Sequence, residues 1–311
     1  MRISFLMNEV AYMDYETQTV VRGWSPTDKR LGGTEESVVR WAEELVKRGH
    51  AVKVFKDNLS PARNGVLYMD FALYHSSQPG DVCINIKNSA VPPKGPTLYL
   101  TNETDANLKD LSAYDGVIWP SQWAADNIPV NNPKLFILPH GYDHTKIYPK
   151  DKVNKQCLYA SSPDRGLDVL DQIWPLILDQ HPDAQLYVTY GGRINAPNTI
   201  YGEFSEEEMN ELYNTSDIWL HPCSGGELFG ISGIKAQAAG AIPIYFPTMA
   251  LAETVQSGIA VQDIREMYDA LNDLLGDNDR KTALREEMAK IPQPNWETTT
   301  DRLLEIIGAI L

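Results

Sequence analysis

Residues 216–246 read SDIWLHPCSGGELFGISGIKAQAAGAIPIYF, and the order of events within them sets the fold. The apolar run DIWLHPC (217–223) is a strand that stops at a glycine-rich turn. GIKAQAAG (233–240) has the small residues and closing glycine of a helix, and AIPIYF (241–246) is a second strand. Strand, helix and strand joined tightly form a βαβ unit, whose strands lie parallel in one sheet. Inside the turn sits one carboxylate, Glu227. A helix start offers unpaired N–H groups and the positive end of a dipole, so an anion is its natural guest. A carboxylate placed there by the chain itself either offsets the dipole or receives hydroxyl groups of a ligand.

The same alternation extends in both directions. RISFLM (2–7) is strand-like, and LGGTEESVVRWAEELVKRGH (31–50) is a helix signal: Thr34 can cap it, Glu35 and Glu36 suit its positive end, and Gly49 ends it. Val38, Val39, Ala42, Leu45 and Val46 fall on one stripe at helical spacing. AVKVF, DVCINI, TLYLT, GVIWPS and KLFILPHG follow as strands. The polar, proline-bearing stretch YDHTKIYPKDKVNKQ (142–156) reads as a linker, after which CLYASS restarts the pattern. We therefore expect an α/β chain of two Rossmann-like parallel-sheet domains: 1–148, and 149–295, with the apolar-faced helix 296–311 packing back on the first and Trp296 anchoring it.

Charge supports the division. Residues 1–150 hold 16 basic and 17 acidic side chains, a net −1, whereas 151–311 hold 11 and 25, a net −14. Such an acidic half repels nucleic-acid phosphates. The basic cluster Arg40, Lys47, Arg48, Lys53 and Lys56 is only a weak lipid-surface signal. No apolar run reaches the ~18–20 residues of a membrane helix, and the N-terminal stretch lacks a signal-peptide core. Cys83, Cys157 and Cys223 are widely spaced, which argues against a disulfide framework or a zinc site and for a cytoplasmic setting. Asp and Glu do not group with His at ligand spacing, and no metal is expected.

Three strand-to-helix loops are glycine-rich or hydroxyl-rich: Leu31-Gly32-Gly33-Thr34, Ser161-Ser162-Pro163-Asp164-Arg165-Gly166, and Gly225-Gly226-Glu227-Leu228-Phe229-Gly230. Ligands of open α/β sheets bind at the carboxyl ends of strands, and phosphate suits a helix start there. GxxxxGK[ST] and GxGxxG are both absent. Arg165 is the single cation of its loop; it either neutralises a diphosphate or pairs with Asp164 or Asp168 at the surface.

Taken together, GGTEESVVRWAEELVKRGHAVKVF, AYDGVIWPSQWAADNI with KLFILPHGYDHTKIYP, LYASSPDRGLDVLDQIWPLI and SDIWLHPCSGGELFGISGIKAQAAGAIPI resemble, in order, the GT-B-fold retaining glycosyltransferases of family 4 (glycosyl transferases group 1). The resemblance implies two domains facing across a cleft, with a nucleotide-sugar donor on the second and the acceptor mostly on the first. It places Glu227 against the hydroxyls of the transferring sugar and the amides of Phe229, Gly230 and Ile231 on the diphosphate. Gly32 and Gly33 correspond to the first-domain loop near donor sugar and phosphates. Ser161, Ser162 and Arg165 correspond to the donor loop, and Tyr190, Gly202 and Phe204 to the seat of the base. Asn102 and Glu103 follow the strand whose end faces the sugar. The chain departs from the family at Lys235, where the motif's second glutamate, a ribose ligand, is expected, and at His140, where asparagine is usual. No cofactor is implied beyond the donor itself, UDP- or GDP-linked. The acceptor classes are glycan, lipid-linked sugar, metabolite or modified nucleobase. The alternatives are a non-catalytic sugar-nucleotide binding protein, favoured by Lys235, and a sugar-nucleotide epimerase.

Overall fold

The computed structural model describes residues 1–7, 11–14, 19–22, 24–28, 31–77, 80–88, 90–202 and 204–311. The chain divides into two units. One holds the described residues up to Gly141 together with 294–311, and the other those of 142–293.

In the first unit the strands are β1 (Arg2–Met7), β2 (Ala11–Asp14), β3 (Thr19–Arg22), β4 (Ala51–Lys56), β5 (Leu67–Asp70), β6 (Val82–Ile86), β7 (Thr97–Leu100), β8 (Gly116–Trp119) and β9 (Leu135–Ile137). β2 and β3 form an antiparallel pair of their own. The others make one parallel sheet in the order β5-β4-β1-β6-β7-β8-β9. Helices α1 (Gly33–Lys47) and α2 (Gln122–Asn127) connect strands of this sheet. Alternation along β1 splits the sheet's two faces. Ile3, Phe5 and Met7 join Val38, Trp41 and Leu45 of α1 in one core, while Leu6 joins Phe55, Tyr74 and Cys83 in another.

The second unit runs β10 (Val153–Tyr159), α3 (Leu167–Gln180), β11 (Gln185–Val188), β12 (Thr199–Tyr201), α4 (Glu206–Thr215), β13 (Ser216–His221), α5 (Ile231–Ala239), β14 (Ile242–Tyr245), α6 (Leu251–Thr254), β15 (Ile259–Ala260), α7 (Ile264–Gly276) and α8 (Asn278–Met288). Its sheet is parallel, in the order β12-β11-β10-β13-β14-β15. Both faces are covered, so its strands are apolar on both sides. Cys157 and Tyr159 pack with Leu170, Trp174 and Met267, while Leu158 and Ala160 pack with Leu212, Ala236 and Ala239. At the amino end of β13 the buried Asp217 carboxylate accepts from Lys281 Nζ at 2.7 Å and from Arg285, pinning α8 beneath the sheet. Removing one partner of such a pair costs about 3–5 kcal/mol, because a buried charge is left unanswered.

The break after Gly141 comes earlier than the expected 148, for a visible reason. Residues after Gly141 are already bonded into the second unit. Tyr148 N donates to Asn214 Oδ1 (2.9 Å), Asn214 Nδ2 to the Lys146 carbonyl (2.8 Å), and Lys152 Nζ to the carbonyls of Asn214 and Ala239 (2.7 and 2.6 Å). The last helix, α9 (Trp296–Gly308), belongs to the first unit. Trp296, Leu303, Ile306 and Ile307 complete that unit's core, and Trp41 Nε1 donates to Thr299 Oγ1 at 3.0 Å. Among the described residues no helix is long and apolar enough to cross a membrane.

Candidate functional site

Strand order reverses between β10 and β13: from β10 the chain steps one way to β11 and β12, then returns to place β13 on the other side. The two loops leaving those strands flank the switch point whose crevice is where such sheets bind ligands. The loop after β10 carries Arg165, and the loop after β13 carries Glu227.

Backbone contact brings these loops together. Gly166 is left-handed (φ 89°), and a Cβ built on it would stand 2.1 Å from the Pro222 carbonyl oxygen. Only glycine permits that approach. Arg165 is thereby laid across the second loop: its Nη1 donates to the Gly225 carbonyl (2.8 Å), and its Nε is 3.6 Å from Glu227 Oε1 and 3.8 Å from Asp164. Both readings of Arg165 thus meet in one place, because it pairs with acids and lines the crevice. Burial pushes the Glu227 carboxyl above its ordinary range, the Arg165 charge pulls it back, and the Asp164 charge adds to the rise.

The Glu227 loop is held from behind by residues after β14. Thr248 Oγ1 donates to the Cys223 carbonyl (2.7 Å), Ala250 N to the Glu227 carbonyl (3.3 Å), and Thr254 Oγ1 to the Phe229 carbonyl (2.6 Å). Gly226 N lies 2.9 Å from Met249 Sδ, and Met249 itself has φ 51°. A non-glycine residue in that region is strained and persists only when its surroundings fix it.

Helix starts divide into two kinds. Among described helices of eight or more residues, α4, α7, α8 and α9 are capped by side chains of Ser205, Asp263, Asp277 and Asn295. Helices α1, α3 and α5 begin at Gly32, Gly166 and Gly230, and none of these has a side-chain cap. The uncapped three are the ones that follow the loops singled out in the sequence. No side-chain cap meets their first amides, although Leu167 N donates to the Pro163 carbonyl and Gly233 N to that of Gly230. Phe229 is buried and Gly230 is the left-handed N-cap (φ 81°), so α5 opens at Ile231 directly after the loop. Lys235 is half-buried one turn further on, on the face of Ile231.

Other expected residues have specific partners. Ser162 Oγ donates to Asp164, so this hydroxyl is engaged, while Ser161 is half-buried beside it. Tyr190 (φ 62°), strained as a non-glycine residue there, precedes Gly191 (φ 75°) in the loop after β11 at the sheet's carboxyl edge. Phe204 is half-buried and packs against the core, its ring 6.3 Å from that of Tyr187, and Gly202 lies against it. Its neighbour Glu203 lies outside the described residues.

In the first unit, Asn102 Nδ2 donates to Thr34 Oγ1 (2.7 Å), tying β7 to the start of α1; Asn102 Oδ1 is buried with no partner among the described residues. Glu103 is held in an ion pair by Lys109. Glu35 folds back over Gly32, so α1 already carries a carboxylate at its mouth. His140 holds that mouth from behind. Ser37 Oγ donates to the Gly33 carbonyl (2.6 Å), which leaves it to accept from His140 Nδ1 (2.7 Å). His140 stacks on Trp41, and Gly141 leaves no room for a Cβ against the start of α9. Burial holds His140 neutral, its pKa pushed down to about 3.

One residue escaped the sequence reading. His221 ends β13 fully buried, stacked on Trp219 (4.8 Å, 13°), with Nε2 4.0 Å from Glu227 Oε1. Neither ring nitrogen has a hydrogen-bond partner among the described residues. Burial, with Arg165 nearby, lowers its pKa to about 3. The expectation that acids do not group with histidine also fails here, since His221, Cys223 and Glu227 bring ligand atoms within 4.8 Å of one another. The spacing His-x-Cys-x3-Glu was readable, but a strand end and a turn do not look like a ligand set until the turn closes over the strand.

Residues 155–277 match the family model described as Glycosyl transferases group 1. Over 81 residues, 25% of this chain, the sequence is 33% identical to a phosphatidyl-myo-inositol mannosyltransferase of Propionibacterium freudenreichii subsp. shermanii; the match spans 21% of that protein. The fold is similar to sucrose-phosphate synthase of Thermosynechococcus elongatus (TM-score 0.76, 14% identity, 99% of this chain and 98% of that one). It is also similar to Anabaena HepE, solved with UDP and glucose (TM-score 0.73, 12% identity, 99% and 100%). With two parallel-sheet α/β units and these neighbours, the architecture is the GT-B fold.

Proposed function

We propose that the protein is a retaining glycosyltransferase that moves a sugar from a nucleoside-diphosphate donor to an acceptor hydroxyl without a metal ion. One observation carries the reading. The uncapped start of α5 lies beside an arginine and a half-buried carboxylate at the strand-order reversal of the second unit. Each part suits one portion of the donor. Amides at the start of α5 bind diphosphate oxygens, and the dipole favours their charge. Arg165 leaves the Gly225 carbonyl to pair with phosphate, a charge-assisted contact stronger than the one it gives up. Glu227 then accepts hydrogen bonds from sugar hydroxyls. As the bond from the anomeric carbon to the phosphate oxygen breaks, negative charge grows on the leaving diphosphate. Preorganised amides and Arg165 stabilise that charge more in the transition state than in the bound donor.

The uridine ligand of HepE makes UDP the first donor base to test, with GDP second. The inositol-lipid relative puts lipid-linked and polyol acceptors beside glycans and small metabolites. Lys235 supports a second reading, a sugar-nucleotide binding protein without turnover, because a lysine cannot accept both ribose hydroxyls as a glutamate does. One experiment separates the readings. Thermal shift against UDP, GDP, ADP and their sugars identifies the donor by mass action, and mass spectrometry of donor with an acceptor library then detects transfer. Stabilisation by none of the nucleotides refutes the donor site. Stabilisation with neither transfer nor hydrolysis selects the binding protein.

A further inference from the structure

We propose that His221, Cys223 and Glu227 form a binding site for a zinc-like divalent ion. Three donor types converge there: an imidazole nitrogen, a thiol sulfur and a carboxylate oxygen, all within 4.8 Å of one another. Nitrogen, sulfur and oxygen together suit borderline ions such as zinc and cobalt rather than magnesium or calcium, which take oxygen. A tetrahedral ion spaces its ligands roughly 3.3–3.8 Å apart, so the widest pair closes by about 1–1.5 Å to reach it. His221 gives the independent pointer. It is fully buried and no described residue meets either ring nitrogen, although buried polar atoms are normally answered. Neutral histidine keeps a lone pair for the ion, and its stack on Trp219 fixes the ring.

The surroundings set the affinity. Cys223 Sγ is now 3.0 Å from the Gly225 carbonyl and accepts the ion only as thiolate, so binding sends one proton to solvent for each ion taken up. Arg165 opposes it: a guanidinium 3.6 Å from Glu227 repels a second cation. Arg165 is about a quarter exposed, so solvent screens part of its charge, which lowers affinity without closing the site. Three protein ligands leave a fourth position for water. The site stands without the sugar-transfer reading. What rests on that reading is one consequence: an ion holding Glu227 excludes the sugar, making zinc an inhibitor.

The test is cobalt(II) titration of the full chain, alone and without substrate. We expect one equivalent bound, the visible bands of tetrahedral cobalt, a thiolate-to-cobalt charge-transfer band, and release of about one proton. His221→Gln and Cys223→Ser each weaken binding at least tenfold, and Cys223→Ser removes the charge-transfer band. Arg165→Gln tightens binding several-fold, a gain that misfolding cannot produce. Circular dichroism checks the folding of all three variants. Absence of these bands in the wild type, equal binding by the histidine and cysteine variants, or no gain in Arg165→Gln overturns the site. Failure of sugar transfer leaves these spectra unchanged, so the two proposals fail separately.

Discussion

Gly166→Ala tests whether the two loops at the strand-order reversal meet as described. The residue has φ 89°, and its Cβ would stand 2.1 Å from the Pro222 carbonyl oxygen and 2.7 Å from the carbonyl carbon. Left-handed backbone costs an alanine roughly 1–2 kcal/mol. The clash falls on main chain at the end of a central strand, which cannot swing aside as a side-chain tip can, and such overpacking adds roughly 1–3 kcal/mol. The sum, about 2–5 kcal/mol, lowers the melting temperature by roughly 5–15 °C for a unit of this size. Relief by moving the turn would carry Arg165 away from Gly225 and Glu227, so nucleoside-diphosphate affinity falls at least tenfold, about 1.4 kcal/mol. Gly225→Ala is the control within the same site, because its Cβ meets nothing within 4 Å. It shifts stability by no more than about 0.5 kcal/mol. Differential scanning calorimetry and isothermal titration read both quantities. A Gly166→Ala protein melting within 1–2 °C of the wild type would refute the close approach and the crevice built on it.

Glu227→Gln lowers transfer by about 10²–10³ yet melts no lower than the wild type at pH 7. Burial raises the Glu227 pKa, so its ionised form is the costly one; the wild type loses that stability as pH rises through the folded pKa, and the variant's advantage disappears below the ordinary carboxyl range. Arg165→Ala weakens nucleoside-diphosphate binding about tenfold or more with little change in melting; unchanged affinity by titration would assign Arg165 to the surface ion pair. His140 and His221, both held near pKa 3, stay neutral while the unfolded chain protonates below about 6.5. Stability is therefore full above that value and falls toward pH 4.5 by about 2–3 kcal/mol for each histidine, a loss that His140→Asn halves in denaturant titrations across pH. His140→Asn also keeps the contact to Ser37 through an amide donor, whereas His140→Ala loses it and melts lower; equal melting temperatures would show that the Ser37 tether does not hold the glycine loop.

The strands and long helices were legible because their apolar residues recur at fixed periods. Leu158 and Ala160 against Cys157 and Tyr159, or Val38, Leu45 and Trp41 on α1, can be sorted to faces with no structure at hand. Short elements without a period were not: β12, β15 and the β2–β3 pair hold two to four residues each. The candidate loops were visible as glycine-rich strand-to-helix turns. Their pairing was not, because Arg165 meets the Gly225 carbonyl sixty residues away, and only the strand order makes neighbours of them. Glu103 looked available because its partner Lys109 lies six residues on, beyond a 3-10 turn (Ala106–Leu108) that no periodicity announces.

The three glycine-capped helices are not equivalent hosts for a phosphate, and their differences decide among them. Helix α1 opens with Glu35 and Glu36, and the Glu35 carboxylate already lies over Gly32, so an incoming dianion meets like charge at once. Helix α3 carries Asp168 in its first turn, with Asp164 in the loop before it. Helix α5 has no acid in its first turn, and the nearest carboxylate, Glu227, is turned toward Arg165. Backbone amides supply a similar partial positive charge at all three starts, so side-chain charge breaks the tie in favour of α5. Arg165 serves that choice from the neighbouring loop, supplying the cation that its own helix start would otherwise use. Reversing the bias tests this: Ser232→Asp places a carboxylate in the first turn of α5 and weakens nucleoside-diphosphate binding, while Asp168→Asn at α3 leaves it within twofold. Equal sensitivity at the two positions would move the diphosphate to α3.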